Sequence, residues 1–233
     1  MLVPANIPNL IFRYQWYYNT VGMKKRLTRA EKRELTYEGL ISAADRLFTE
    51  RGFHATSVDE IAFEAGYTKG AVYSNFESKE DLFFAVYERR AERAVAEIEQ
   101  VLRENEPLAG LELLASGAAL RRGRDDGWLA VFFEFWAHVV RNPSLRKRFA
   151  RIHARATEPM NATVERFAEE RGITMPVEAR RLNVAMNAMV TGLSLERLTQ
   201  PDVADVGLGA RMVRLVPEDL ERGGVTRPGD RRE

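Results

Sequence analysis

Residues 68–75 read Thr-Lys-Gly-Ala-Val-Tyr-Ser-Asn; apart from Val72 they are small or carry hydrogen-bond donors, with no acid among them. Such a set is poorly equipped for catalysis and well equipped to meet a polyanion. Lys69, Tyr73, Ser74 and Asn75 are donors for phosphate oxygens, contacts that set register without reading sequence. Gly70 and Ala71 let a backbone approach base edges, and the Ala71 methyl suits a thymine methyl. Thr68 and Lys69 open the segment, the end that enters a major groove first. Thr56 and Ser57 begin the preceding element, where hydroxyls and free backbone N–H groups suit a phosphate. Lys79 adds a further cation beyond the segment. The competing reading packs Tyr73 into the protein and leaves Ser74 merely exposed.

Two short helices and a tight turn are needed to position these groups. Ser57 and Glu60 fit the S-x-x-E capping box, so a helix starts at Val58, with Val58, Ile61, Ala62 and Ala65 on its apolar face. Gly66 ends it in the left-handed conformation. Thr68 caps a second helix, roughly residues 69–75, that buries Val72 and Phe76. The pair describes a helix-turn-helix. FHATSVDEIAFEAGYTKGAVYSNFESKEDLFFAVYE resembles the DNA-binding domain of the tetracycline-repressor (TetR) family, over about residues 29–87. Its most specific part is GYTKGAVYSNF followed by SKEDL; the rest of the chain resembles the family only in layout. The resemblance implies a homodimer on a palindromic double-stranded operator and a small apolar effector that releases it.

The whole chain reads as all-α, with about nine helices in 233 residues. The expected organisation is an extension and basic arm (1–28), a three-helix head (29–80), a helical ligand and dimerisation domain (81–216) and a disordered tail (217–233). The first helix runs to about Arg51 and ends at Gly52; the fourth, capped by Ser78 with Asp81, runs to about Asn105, long enough at about 1.5 Å per residue to serve both domains. Pro107 opens the fifth, residues 121–127 form a loop, and the sixth spans Trp128–Val140. Ser144 caps the seventh, which bends at Pro159; Pro176 opens the eighth, and the ninth covers residues 205–216. Lys24, Lys25, Arg26, Arg29, Lys32 and Arg33 lead into the head with one acid, Glu31, among them. That run suits phosphates or a minor groove, or else is a solvated helix start. Residues 1–22 differ in character and are expected to be an upstream extension before a natural start at Met23, the rival being a docking arm built on Phe12, Trp16 and Tyr17.

Hydrophobic residues make up 45% of the chain, enough for a sizeable core, and the absence of cysteine excludes disulfides and thiolate chemistry. The formal charge of +1 does not by itself indicate a nucleic-acid partner. His54, His138 and His153 lack metal-ligand spacing with carboxylates, and no catalytic triad, P-loop or dinucleotide motif appears. No cofactor, catalysis or membrane partner is expected, and a cytoplasmic location is. Trp128, Phe132, Phe135 and Trp136 on the sixth helix, Met160 on the seventh, and Met186 and Met189 on the eighth are either core or the wall of an apolar effector chamber. Ala188, Thr191, Gly192 and Leu195, with Met212 and Leu215 on the ninth helix, form a second face for a dimer or for the monomer's own core. Three function classes follow: a ligand-responsive repressor, a helix-turn-helix regulator without a small-molecule ligand, and a non-DNA helical binding protein or enzyme with a vestigial head.

Overall fold

The computed structural model describes residues 27–116, 126–175, 177–205 and 207–214, and every regular element among them is helical. In chain order these are α1 (Arg29–Arg51), α2 (Val58–Glu64), α3 (Lys69–Tyr73), α4 (Lys79–Glu104), α5 (Pro107–Ala115), α6 (Asp126–Arg141), α7 (Pro143–Glu170), α8 (Ala179–Thr199) and α9 (Leu208–Arg214). The expectations for residues 1–22, for residues 121–125 of the 121–127 loop and for the tail lie outside the described residues, as does Leu215; residues 126 and 127, expected in that loop, already belong to α6.

Caps set where the helices begin. Thr28 caps α1 and Ser57 caps α2, each through a reciprocal box with the glutamate three residues on. Gly52 and Gly66 take positive φ of 90° and 73°, where a Cβ is strained. Several starts differ from expectation: α6 begins at Asp126 rather than Trp128, α8 at Ala179 rather than Pro176 and α9 at Leu208 rather than residue 205. α7 is capped by Asn142, whose Oδ1 accepts from the Ser144 and Leu145 amides, so Ser144 is already inside the helix with Pro143 at its first position. The Asp81 carboxylate accepts from the Glu77 amide rather than from the cap residue Ser78. α7 continues across Pro159, which lacks the N–H that Arg155 would otherwise receive.

Two compact units divide the chain, Met1–Val86 and Tyr87–Glu233, so the boundary falls inside α4 rather than at its start. The reason is packing: Leu82, Phe83 and Val86 are fully buried in the first unit. Its centre is a trio of rings, Phe48, Phe53 and Phe83, with centroids 5.5–5.6 Å apart. Truncating such a ring costs about 3–5 kcal/mol, against about 1 kcal/mol for a helix cap. The rings therefore hold the head together, and the caps set its register.

In the second unit Ile98, Leu102 and Phe167 form one buried cluster, with Leu114, Met160 and Ile173 packed on it. A separate aromatic cluster joins α4, α6 and α7 through Tyr87, Phe132, Phe149 and His153. The Tyr87 hydroxyl lies 2.5 Å from His153 Nδ1, and burial holds that imidazole's pKa below its ordinary value. α9 packs on the end of α5 through Gly209, where an added Cβ would fall 2.0 Å from the Ala115 carbonyl oxygen. Gly209→Val should therefore displace α9 and lower the melting temperature, by several degrees if the loss is about 2 kcal/mol. An unchanged melting curve and unchanged protection of α9 amides from exchange would show that this contact is dispensable.

Candidate nucleic-acid interface and effector cavity

The head presents α3 on a scaffold of short polar ties. Thr68 Oγ1 accepts from the Ala71 amide at 3.2 Å, fixing the start of α3, and the Gly66 turn joins it to α2. α3 is regular only over Lys69–Tyr73; Ser74 and Asn75, expected inside it, terminate it. The Ser74 hydroxyl and the Asn75 amide both donate to the Ala71 carbonyl, at 2.9 and 2.8 Å. The outer face of α3 is open. Tyr73 is 52% exposed, and a Cβ added at Gly70 would meet nothing closer than Thr68 Oγ1 at 3.8 Å.

Four expected contacts take different places from those foreseen. Thr56 is 1% exposed and donates to the Leu47 and Gly52 carbonyls at 3.2 and 2.8 Å, so its hydroxyl faces inward rather than toward a phosphate. A place at a helix start suits an anion contact, but the preceding loop folds Thr56 into the core. Ser57 donates to Glu60 Oε2 at 2.8 Å, which places a carboxylate beside the expected anion site. The Ser57 amide and hydroxyl, and then Arg51, hold that carboxylate's pKa below its ordinary value. Lys79 lies 4.4 Å from the Phe53 ring centroid and donates to the Phe53 and Thr56 carbonyls at 2.9 and 3.0 Å. Two of its three donors thus tie α4 to the loop before α2. Lys69 is exposed as expected but pairs with Asp59 at 2.9 Å, and that hydrogen bond raises its pKa.

Asp59 is the residue that sequence reasoning missed. α3 carries no acid, yet α2 supplies one to its only lysine. The pair is mostly exposed, at 56% and 62%, so water screens it. Arg33 and Tyr37 of α1 line a notch with Asn75, extending the polar surface beyond α3.

The effector chamber expected on α6 divides into two places. A cavity of about 110 Å³ is lined by α4, α5, α7 and α8, including Met160 and Met186. Trp128, Phe132, Phe135, Trp136 and Met189 are not among its lining residues. Phe135 is fully buried, Trp128 carries the Arg90 guanidinium 4.1 Å from its ring centroid, and Phe132 stacks with Tyr87. Trp136 packs on Phe132 and stays 41% exposed. Helical periodicity marks these rings as apolar without saying which neighbour they meet. Thr191, expected at a dimer face, lines the cavity instead because its position on α8 turns it inward. Ala188, Gly192, Leu195 and Met212 are exposed, with Val184 and Leu198 extending the stripe.

Two predictions follow for the interface. Asp59→Asn should tighten binding of double-stranded DNA and steepen its salt dependence, because Lys69 is then unopposed; each added phosphate contact contributes about one unit of slope. A titration from low to high salt that shows no change would sever Lys69 from the interface. Lys69→Ala and Tyr73→Phe should each weaken operator binding while leaving the melting curve intact, and unchanged affinity in both would remove α3 from the contact surface.

Comparison with known proteins agrees with this geometry. Residues 40–86 match the model for bacterial regulatory proteins of the tetR family, and residues 107–222 match that for the C-terminal part of BetI-type transcriptional repressors. The HTH-type transcriptional regulator AcrR of Shigella flexneri is 27% identical over 194 residues, covering 80% of this chain and 88% of AcrR. The HTH-type transcriptional activator FasR of Mycolicibacterium smegmatis is 41% identical over 78 residues, which span 34% of either protein. The fold is shared with the transcriptional regulator FadR of Bacillus subtilis, solved with stearoyl-CoA, at a TM-score of 0.56 and 20% identity over 76% of this chain and 95% of FadR. No helix among the described residues is long and apolar enough to cross a membrane. The chain belongs to the TetR family of helix-turn-helix transcriptional regulators.

Proposed function

We propose that this regulator is a repressor that binds a palindromic operator as a homodimer and releases it when a small apolar effector enters the cavity between α4, α5, α7 and α8. The observation that carries this reading is the cavity's position on α4. Ala94, Ile98 and Leu102 line it, while Leu82, Phe83 and Val86 of the same helix are buried in the head. An effector that moves the distal part of α4 therefore acts on a helix that also belongs to the DNA-binding unit. Coupling of this kind typically amounts to about 1–3 kcal/mol, a roughly 5–150-fold change in affinity. It requires the effector to bind the DNA-competent and released states unequally.

The match to a repressor's C-terminal model supports the sign of regulation, and FadR's complex with stearoyl-CoA supports a ligand for this fold. At about 110 Å³ the cavity lies below the roughly 300–1,000 Å³ of drug-sized sites, so a compact effector fits it best. The small volume also suits a regulator that needs no ligand, and the experiment below separates the two. For the dimer, the support is the exposed stripe of Val184, Ala188, Gly192, Leu195 and Leu198 on α8, with Met212 on α9. Gly192 has nothing within 4 Å of an added Cβ, which leaves room for close approach of a second helix. Such a dimer would set two α3 helices about 34–36 Å apart.

Met186→Trp, which fills the cavity, should abolish release by effectors found in a thermal-shift screen while preserving operator affinity in their absence. Trp136→Ala, outside the cavity, should leave both properties unchanged. Fluorescence anisotropy of a labelled operator measures each. Normal release from Met186→Trp would reduce the cavity to a packing defect.

A further inference from the structure

The cavity's chemistry narrows the effector further than its size does. Its apolar surface includes Ile98, Leu102, Met160 and Phe167; its polar part is Asn183, Asn187 and Thr191, four residues apart along α8; no lining residue is charged. Arg171 stacks on Phe167 at 4.2 Å and donates to the Leu102 carbonyl at 3.5 Å, but it is not part of the lining. An ionic ligand entering here would shed part of its hydration without gaining a counter-charge from the wall, a penalty in a mostly apolar site.

The polar wall also has a direction. The Glu158 carboxylate can only accept, and Asn161 Nδ2 donates to it at 3.2 Å. That orients the Asn161 amide so that its Oδ1 accepts from Asn183 Nδ2 at 2.9 Å. Asn161 is 6% exposed, so turning its amide over would set an oxygen against the carboxylate with no water to relieve it. Asn183 is thereby held with its carbonyl oxygen as a remaining acceptor. One turn along, Thr191 Oγ1 donates to Asn187 Oδ1 at 3.1 Å, leaving the Asn187 N–H groups as donors. A hydroxyl satisfies both neighbours at once, donating to Asn183 and accepting from Asn187.

Resting on the effector reading above, we propose that the cavity selects a compact neutral alcohol or phenol, and that the Glu158–Asn161–Asn183 relay is what makes it select a hydrogen-bond donor. A ligand that covers the Asn183 oxygen without donating to it leaves a desolvated acceptor, the arrangement by which polar sites reject analogues that lack a hydroxyl.

The test compares phenol and cyclohexanol with their methyl ethers, anisole and methoxycyclohexane, by calorimetric titration of the full chain. Choline and butyrate serve as charged controls. The hydroxyl compounds should bind roughly tenfold more tightly than their ethers, and the ions should not bind. Asn183→Leu should close that gap. Glu158→Gln should narrow it as well, without touching the lining, because an amide at that position can also donate and so permits the reversed relay. This second variant keeps the proposal testable if Asn183→Leu fails to fold. Equal affinity of alcohols and ethers for the natural chain, a gap that persists in Glu158→Gln, or tight binding of either ion would overturn the proposal. If alcohols and ethers bind equally and both release a labelled operator, only the hydroxyl selection fails. If none of the four neutral compounds binds, the selection and the effector reading fail together.

Discussion

The position of α3 depends on how the loop between α1 and α2 is held over three phenylalanine rings. Phe48, Phe53 and Phe83 come from α1, that loop and α4, and each is buried to within 1% of completely. Above them Lys79 grips the Phe53 and Thr56 carbonyls, and the Thr56 hydroxyl grips those of Leu47 and Gly52. These four hydrogen bonds tie the loop between α1 and α2 to α1 and α4. They place Ser57, hence the start of α2, hence the Gly66 turn and α3. A helix five residues long, as α3 is, has little stability of its own and takes its position from this support.

Electrostatics around α3 is more balanced than a run without acids implies. Asp59 faces Lys69, Glu60 faces Ser57 and Arg51, and Arg46 pairs with Glu64. Exposed pairs of this kind contribute little to folding, so their consequence lies in the field that approaching DNA meets. A cation already facing a carboxylate attracts phosphate less at a distance.

In the second unit, apolar side chains serve two ends. The rings of α6 fasten α4 to α7 through Tyr87, Phe132, Phe149 and His153, assisted on the surface by Arg155 with Glu88. The cavity borders the other apolar cluster, where aliphatic side chains and two methionines leave space and asparagines line one side. Branched aliphatic and thioether side chains give way at lower cost than interlocked rings, so this is the more adaptable of the two regions.

The helix-turn-helix and its caps were legible in the chain because each is a local matter. Ser57 with Glu60, the turn at Gly66 and the Thr68 cap are set by hydrogen bonds and φ angles spanning a few residues, and they were read at the right positions. So was the family, since the resemblance rests on one contiguous segment. Partners distant in sequence were not legible. Periodicity says that Trp128, Phe132 and Trp136 share a face of α6, but it does not say that Arg90 and Tyr87 of α4 meet the first two while Trp136 stays partly exposed and the cavity opens elsewhere. Nor does it tell that Thr56 turns inward, that Lys79 is held by carbonyls, or that Asp59 reaches across to Lys69. Those outcomes are decided by packing between elements, where volume, desolvation and the need to satisfy buried polar groups act on residues that have no fixed spacing along the chain.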